Sequence, residues 1–95
     1  MTVYVDEFRI WHPPGAKVPR CFRAGSCHLT ADTLDELHAM ATKVGMRRAW
    51  FQEQSMPHYD LTEKRREAAI AAGAVFVPGR EQARKRRAAR LAAKQ

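Results

Sequence analysis

The chain has 95 residues, of which 45% are hydrophobic and 28% are charged, as is typical of soluble globular proteins. A chain this short forms one small domain, because it cannot bury two separate cores. No apolar run approaches the roughly 18 to 20 residues that cross a bilayer, and the first residues lack the pattern of a signal peptide. We therefore predict a cytoplasmic location and no membrane partner.

The net charge of +7 is concentrated at one end of the chain. Residues 79–95 contain seven Arg or Lys residues and a single Glu, so they account for +6 of it. They consist largely of Ala, Arg, Lys and Gln, which favour helix. We predict that residues 1–78 form an α/β domain and that residues 79–95 form a basic C-terminal helical tail.

The first half of the chain predicts two strands and a helix. Residues 2–5 alternate β-branched and aromatic side chains, which predicts a strand. Residues 20–29 form a second extended segment, in which Gly25 indicates a bulge or a close backbone approach. Thr33 fits the first position of a helix capping box, and apolar residues then repeat at helical spacing until Gly45.

The second half predicts two further strands around a second helix. Residues 47–52 form the third predicted strand, and the second helix runs from a cap at Asp60 or Thr62 to Gly73. Residues 74–77 are a continuous apolar run, which predicts a strand buried on both faces.

Strands that alternate with helices indicate βαβ crossovers and parallel pairing. We therefore predict a small α/β fold with a mostly parallel sheet of about four strands, two packed helices and a basic C-terminal helix. Two helices on such a sheet leave one face uncovered, and a homodimer would cover it.

Six short segments stand out in chain order. They are Val3-Tyr4-Val5-Asp6, Cys27-His28-Leu29-Thr30-Ala31-Asp32, Asp35-Glu36-Leu37-His38, Trp50-Phe51-Gln52, Pro57-His58-Tyr59-Asp60-Leu61 and Gly73-Ala74-Val75. In residue type and separation they resemble the domain of unknown function 4031 family of bacteria and phages, over residues 1 to about 77. The resemblance implies a domain that excludes the basic tail and a set of marked polar residues, and it implies no activity.

Four of the marked residues are predicted to be catalytic. His28 and Asp32 are expected in the loop from the second strand to the first helix, while His58 and Asp60 lead into the second helix. If the second and third strands are parallel, these loops meet at one edge of the sheet, where open α/β sheets bind ligands.

Four more marked residues are candidate ligand-binding residues: Asp6, His38, Gln52 and Tyr59. Asp6 joins the others only if the first strand is also parallel. His38 lies on the core-facing stripe of its helix, where a hydrogen-bonded core histidine is the alternative, and Tyr59 has packing as its alternative.

Histidine beside carboxylate is suited to proton transfer near neutral pH. The same residue types bind zinc, manganese or iron, in which case His28, His58 and Asp60 would contact the ion and Asp32 would support them. The sequence contains no HExxH or CxxC motif and no phosphate-binding glycine loop. If the protein is an enzyme, the predicted reaction class is hydrolysis of a phosphoester, glycosidic or amide bond by His and Asp, with or without a divalent metal. The leading expectation is a ligand that contains phosphate.

The tail carries a stripe of positive charge on one side of the predicted helix, made by Arg80, Arg84, Arg87, Arg90 and Lys94. Such a stripe follows phosphates in nucleic acid, and six neutralised charges give a salt slope of about −5. An acidic protein partner and a solvated helix that aids solubility are the alternatives. For the whole chain, the alternative to an enzyme is a binding module, or a phage accessory protein that acts by protein contact.

Overall fold

The computed structural model describes residues 2–10, 15, 17, 22, 24–53 and 56–93. They form a mixed four-stranded sheet with the strand order β3-β2-β1-β4. The strands are β1 (Val3–Val5), β2 (Cys27–Ala31), β3 (Tyr59–Leu61) and β4 (Val75–Phe76), and the helices are α1 (Leu34–Lys43), α2 (Glu63–Ala71) and α3 (Gly79–Ala93). The α/β class is confirmed. No described helix is long and apolar enough to cross a membrane.

The prediction of a mostly parallel sheet is wrong. Only β1 and β4 are parallel, whereas β2 runs antiparallel to both β1 and β3. Parallel neighbours need a crossover connection, usually a helix, and the described residues between β1 and β2 contain no α-helix. On the other side, Gln52 and His58 form an antiparallel bridge that reverses the chain before it enters β3.

The predicted third strand is also wrong. Arg48–Trp50 form a single 3-10 turn, and the third strand is Tyr59–Leu61. Asp60 is therefore a strand residue, and Thr62 caps α2 by accepting a hydrogen bond from the Arg65 amide. Because the chain pairs as a strand here, His58 and Asp60 do not lie in a loop that leads into a helix.

β4 is not buried on both faces as predicted. Val75 and Phe76 are 47% and 48% exposed, because this two-residue strand lies at the edge of the sheet.

Local signals in the first half are confirmed. The Thr33 hydroxyl accepts from the Glu36 amide at 3.2 Å, which is the threonine half of the predicted capping box, and it donates to the Glu36 carboxylate at 2.9 Å. Gly25 has φ +125°, and a Cβ there would lie 2.9 Å from the Arg9 carbonyl oxygen. This is the predicted close approach.

The two faces of the sheet differ in chemistry because side chains alternate along each strand. One face presents Val5, Leu29 and Leu61, which are fully buried in the core with α1 and α2 residues such as Leu37 and Ala69. The opposite face presents polar residues, namely Tyr4, Asp6, His28, Thr30 and Asp60.

α3 is attached at this polar face. Its Gln82, which is 8% exposed, accepts a hydrogen bond from the Thr30 hydroxyl at 2.7 Å and donates to the Val77 carbonyl oxygen at 2.9 Å. At its first turn, the Gly79 amide donates to the Glu7 carboxylate at 2.7 Å. The N-terminal end of α3 therefore lies beside Asp6 and Glu7.

Candidate functional site

His28 and His58 meet on the polar face of the sheet, with their ring centroids 5.1 Å apart. The reason is cross-strand register. His28 on β2 is directly opposite Asp60 on β3, and His58 lies two residues before Asp60, so all three side chains project from the same face. The predicted convergence therefore occurs between antiparallel strands, and His28 lies within a strand instead of the predicted loop.

Asp6 orients His28. One Asp6 carboxylate oxygen accepts the His28 backbone amide at 2.6 Å, and the other contacts His28 Nδ1 at 2.7 Å. Asp6 is only 2% exposed. Because an ionised carboxylate can only accept, His28 Nδ1 carries the ring hydrogen. His28 Nε2 then faces Asp60, 3.9 Å from Oδ1.

His58 is oriented in the same way by a different acceptor. Its Nδ1 donates to the main-chain oxygen of Met56 at 2.8 Å, and since a carbonyl only accepts, this nitrogen carries the hydrogen. His58 Nε2 lies 3.5 Å from Asp60 Oδ1. Both imidazoles therefore use Nδ1 for support and direct Nε2 toward one carboxylate.

Asp60 and His58 perturb each other's pKa. The hydrogen bond to the Asp60 carboxylate raises the pKa of His58, although partial burial opposes this. The same contact lowers the pKa of Asp60, with help from Gln52, whose side-chain amide donates to Asp60 Oδ2 at 2.7 Å. Each of the two residues therefore favours the charged form of the other.

One ligand atom from each of His28, His58 and Asp60 lies within 4.8 Å of the others, which is a grouping that can hold a metal ion. Among the described residues, no sulfur ligand joins them. Cys27 projects to the core face, is fully buried, and has its pKa raised to about 12, chiefly by that burial.

A cleft of about 600 Å³ opens beside this group. Asp6, His28 and Met56 form part of its wall, and the α3 residues Arg80 and Arg86 form another part. Negative and positive side chains therefore face the same space.

The structure brings together five of the predicted site residues: Asp6, His28, Gln52, His58 and Asp60. Asp32 is not among them. It lies four residues beyond His28, about 13 Å along an extended chain, and it accepts hydrogen bonds from the Tyr4 hydroxyl and the Thr2 amide.

His38 and Tyr59 lie on the core side of the sheet. His38 Nδ1 contacts the Tyr59 hydroxyl at 2.8 Å, and the ring of Phe51 packs against His38. Tyr59 is 1% exposed, and burial raises its pKa. His38 and Tyr59 therefore pack in the core, which is the alternative to ligand binding that the sequence left open.

The predicted basic stripe points mainly away from the sheet. Arg84 and Arg87 follow the buried Gln82 by two and five residues, which places them on the opposite side of α3. Arg90 is exposed as well, and Lys94 lies outside the described residues. Of the stripe, Arg80 at the start of the helix lines the cleft.

The contributors to the site that the sequence prediction missed include Arg86 and the main chain of Met56. Arg86 lines the cleft because it lies one helical turn after Gln82, but nothing in the sequence marks Gln82 as the buried side of α3. The Met56 main-chain carbonyl has no sequence signal at all.

The chain belongs to the protein family of unknown function DUF4031, whose match covers residues 3–89. The match includes most of α3, so the resemblance extends further than the residue 77 expected from the motifs. No curated protein and no solved structure shows significant similarity to the chain.

Proposed function

We propose that this protein binds nucleic acid through α3 and hydrolyses a phosphodiester bond at the polar face formed by Asp6, His28, His58 and Asp60. One observation carries the proposal: the cleft that contains Asp6 and His28 is also lined by Arg80 and Arg86. Guanidinium groups bind phosphate oxygens in a bidentate manner. A phosphate held by them would lie next to the imidazole and carboxylate groups.

Charge supports nucleic acid over a small phosphate metabolite as the ligand. Beyond Arg80 and Arg86, α3 exposes Arg84, Arg87 and Arg90, none of which lines the cleft. A small ligand in the cleft would leave those three without a role, whereas a polyanion can contact both sides of the helix. Contacts to phosphate give affinity without base preference, so we expect binding that is strongly salt-dependent and tolerant of sequence.

The proposed reaction is balanced by water. The water oxygen forms a bond to phosphorus while the bond from phosphorus to the leaving oxygen breaks. The cluster of His28, His58 and Asp60 takes up the proton that water loses, and a proton returns to the leaving oxygen. Imidazole is suited to this exchange because it gains and loses protons near neutral pH.

Neighbouring arginines provide a matched test of ligand position. Arg86 faces the cleft, whereas Arg87 is on the solvent side of the same helix turn. Arg86→Gln and Arg87→Gln remove the same charge, so each should reduce the salt slope for a labelled oligonucleotide by about 1. Cleavage of the oligonucleotide should fall at least about tenfold further in Arg86→Gln, because only that variant loses a contact at the reacting phosphate.

His28→Ala separates binding from turnover. We expect it to bind the oligonucleotide with nearly unchanged affinity and to lose cleavage. If wild-type protein binds no oligonucleotide at low salt, the nucleic-acid part is wrong. If it binds but His28→Ala changes nothing in a cleavage assay, the hydrolase part is wrong and the protein is a binding module.

A further inference from the structure

We propose that His28, His58 and Asp60 are the ligands of a divalent first-row transition metal ion, with one or more positions left open for water or a phosphate oxygen. The inference deepens the proposed function. A role for the ion in the reaction rests on the proposal that the protein hydrolyses a phosphodiester bond. As a binding site it is independent, and it can be tested with metal alone.

The first reason is the direction of the ring nitrogens. Nδ1 of His28 is held by Asp6, and Nδ1 of His58 is held by the Met56 carbonyl. In the neutral imidazole these contacts fix the tautomer in which Nε2 carries the electron pair. A bound metal ion would take the place of the proton that a charged His58 directs at Asp60. Both Nε2 atoms then face the oxygen of Asp60, at 3.9 Å and 3.5 Å, so three electron-pair donors are directed at one small volume.

The second reason is that each of the three ligand side chains is held by a further hydrogen bond. Metal-binding histidines usually donate their other nitrogen to a carboxylate or a main-chain carbonyl, and metal-binding carboxylates accept a further hydrogen bond. Asp6 supports His28 at 2.7 Å, Met56 supports His58 at 2.8 Å, and Gln52 supports Asp60 at 2.7 Å. General acid–base chemistry at one histidine would not require all three.

The distances are close to those of a bound ion. Ligand atoms about 2.0 Å from a tetrahedral ion lie about 3.3 Å apart. The separation of 3.5 Å between His58 Nε2 and Asp60 Oδ1 nearly matches this value, and the largest separation in the group is within 4.8 Å. Ligand atoms that lie within 4.8 Å of one another would have to approach by at most about 1.5 Å to reach the tetrahedral separation.

The ligand set selects the type of ion. Two imidazoles and one carboxylate suit zinc, iron or cobalt, whereas magnesium and calcium prefer oxygen ligands alone. The one cysteine in the described part of the chain, Cys27, faces the core on the other side of the sheet and does not supply a thiolate. With the ion bound, these three side chains hold the metal and do not take up the proton of the water. An ion with three protein ligands instead lowers the pKa of its bound water, so that the proton is released to solvent and the remaining hydroxide attacks phosphorus.

Untagged, chelator-treated protein titrated with Zn²⁺ tests the inference. We expect one ion per chain, a rise in the melting temperature, and no competition from Mg²⁺ at the same concentration. Asp60→Asn keeps an oxygen that can accept from Gln52, and His58→Gln removes one imidazole. Both should weaken Zn²⁺ binding at least about tenfold. His38→Gln, which removes an imidazole on the other side of the sheet, should bind as the wild type does.

A measurement on the wild type remains decisive if a variant fails to fold. In long-range ¹H–¹⁵N spectra, Zn²⁺ should shift Nε2 of His28 and His58 and leave His38 unchanged. Absence of binding at micromolar Zn²⁺, or shifts confined to other histidines, would overturn the metal site. If Zn²⁺ binds here but no oligonucleotide does, the metal site stands and the proposed function fails. If an oligonucleotide is bound and cleaved but Zn²⁺ does not bind here, the proposed function stands and the metal site fails.

Discussion

His28 and Asp60 are directly opposite each other on antiparallel strands, and this register assembles the candidate site. The pairing places the two side chains on the polar face, while their neighbours Cys27, Leu29, Tyr59 and Leu61 fill the core on the other face. A shift of β3 by one residue would exchange the two sets. The hydrophobic core therefore fixes the position of the polar cluster.

Asp6→Ala should lower the free energy of unfolding by about 1 to 3 kcal/mol, because the buried carboxylate accepts two hydrogen bonds from His28. Urea denaturation monitored by circular dichroism measures the change. Asp35→Ala, at an exposed position in the first turn of α1, is the control and should change stability much less. An equal loss in both variants would mean that the contacts of Asp6 contribute nothing specific.

The pair of His58 and Asp60 should give metal-free protein a window of added stability. The raised pKa of His58 gives stability that is complete below its ordinary value of 6.5 and is lost as the pH rises through the raised value. The lowered pKa of Asp60 gives stability that is complete above its ordinary value of 3.8 and is lost as the pH falls through the lowered value. Both contributions are therefore complete between pH 3.8 and 6.5.

Asp60→Asn removes that window. The difference in unfolding free energy between the wild type and Asp60→Asn, measured with chelator present, should be greatest between those pH values and should decline on either side. A difference that does not vary with pH would show that the two side chains are not coupled.

Gln82→Ala should loosen α3 from the sheet. The substitution leaves the Thr30 hydroxyl and the Val77 carbonyl without their buried partner, at a cost of about 1 to 3 kcal/mol. Hydrogen exchange of α3 amides should accelerate about tenfold or more. Arg84→Ala on the solvent side of α3 is the matched control. Unchanged exchange in Gln82→Ala would show that Gln82 does not hold α3 in place.

Cys27 should be inert in the folded protein. Burial raises the pKa of this thiol to about 12, and the thiolate is the reactive form. In a Cys21→Ser background, a disulfide reagent at pH 8 should modify Cys27 only after urea is added. Rapid modification of the native protein would contradict the buried position of Cys27 on the core face.

Signals carried by neighbouring residues were readable from the sequence. The Thr33 capping box, the stop of α1 near Gly45 and the close approach at Gly25 depend on a few adjacent residues, and each is present. Asp60 and Thr62 both resembled helix caps, and the sequence alone did not choose between them. Pairing with His28 recruits Asp60 to a strand and leaves the cap to Thr62.

Strand direction depends on contacts between distant segments, and the sequence did not reveal it. The meeting of His28 with His58 was predicted from parallel strands, whereas it arises from an antiparallel pair and a bridge at Gln52. The periodicity of α3 likewise revealed a basic stripe without revealing which side faces the sheet. Gln82 decides this, because it bonds to Thr30, which is 52 residues away in the chain.

We propose that the cleft between the polar cluster and α3 receives a phosphodiester. A titration of ¹⁵N-labelled protein with a short oligonucleotide tests it most directly. We expect the largest amide and side-chain shifts at His28, Asp60, Gly79 and Arg86, with Ala41 and Leu37 on the core side unchanged. Shifts confined to Arg84, Arg87 and Arg90, which lie outside the cleft, or no shifts at all, would contradict the proposal.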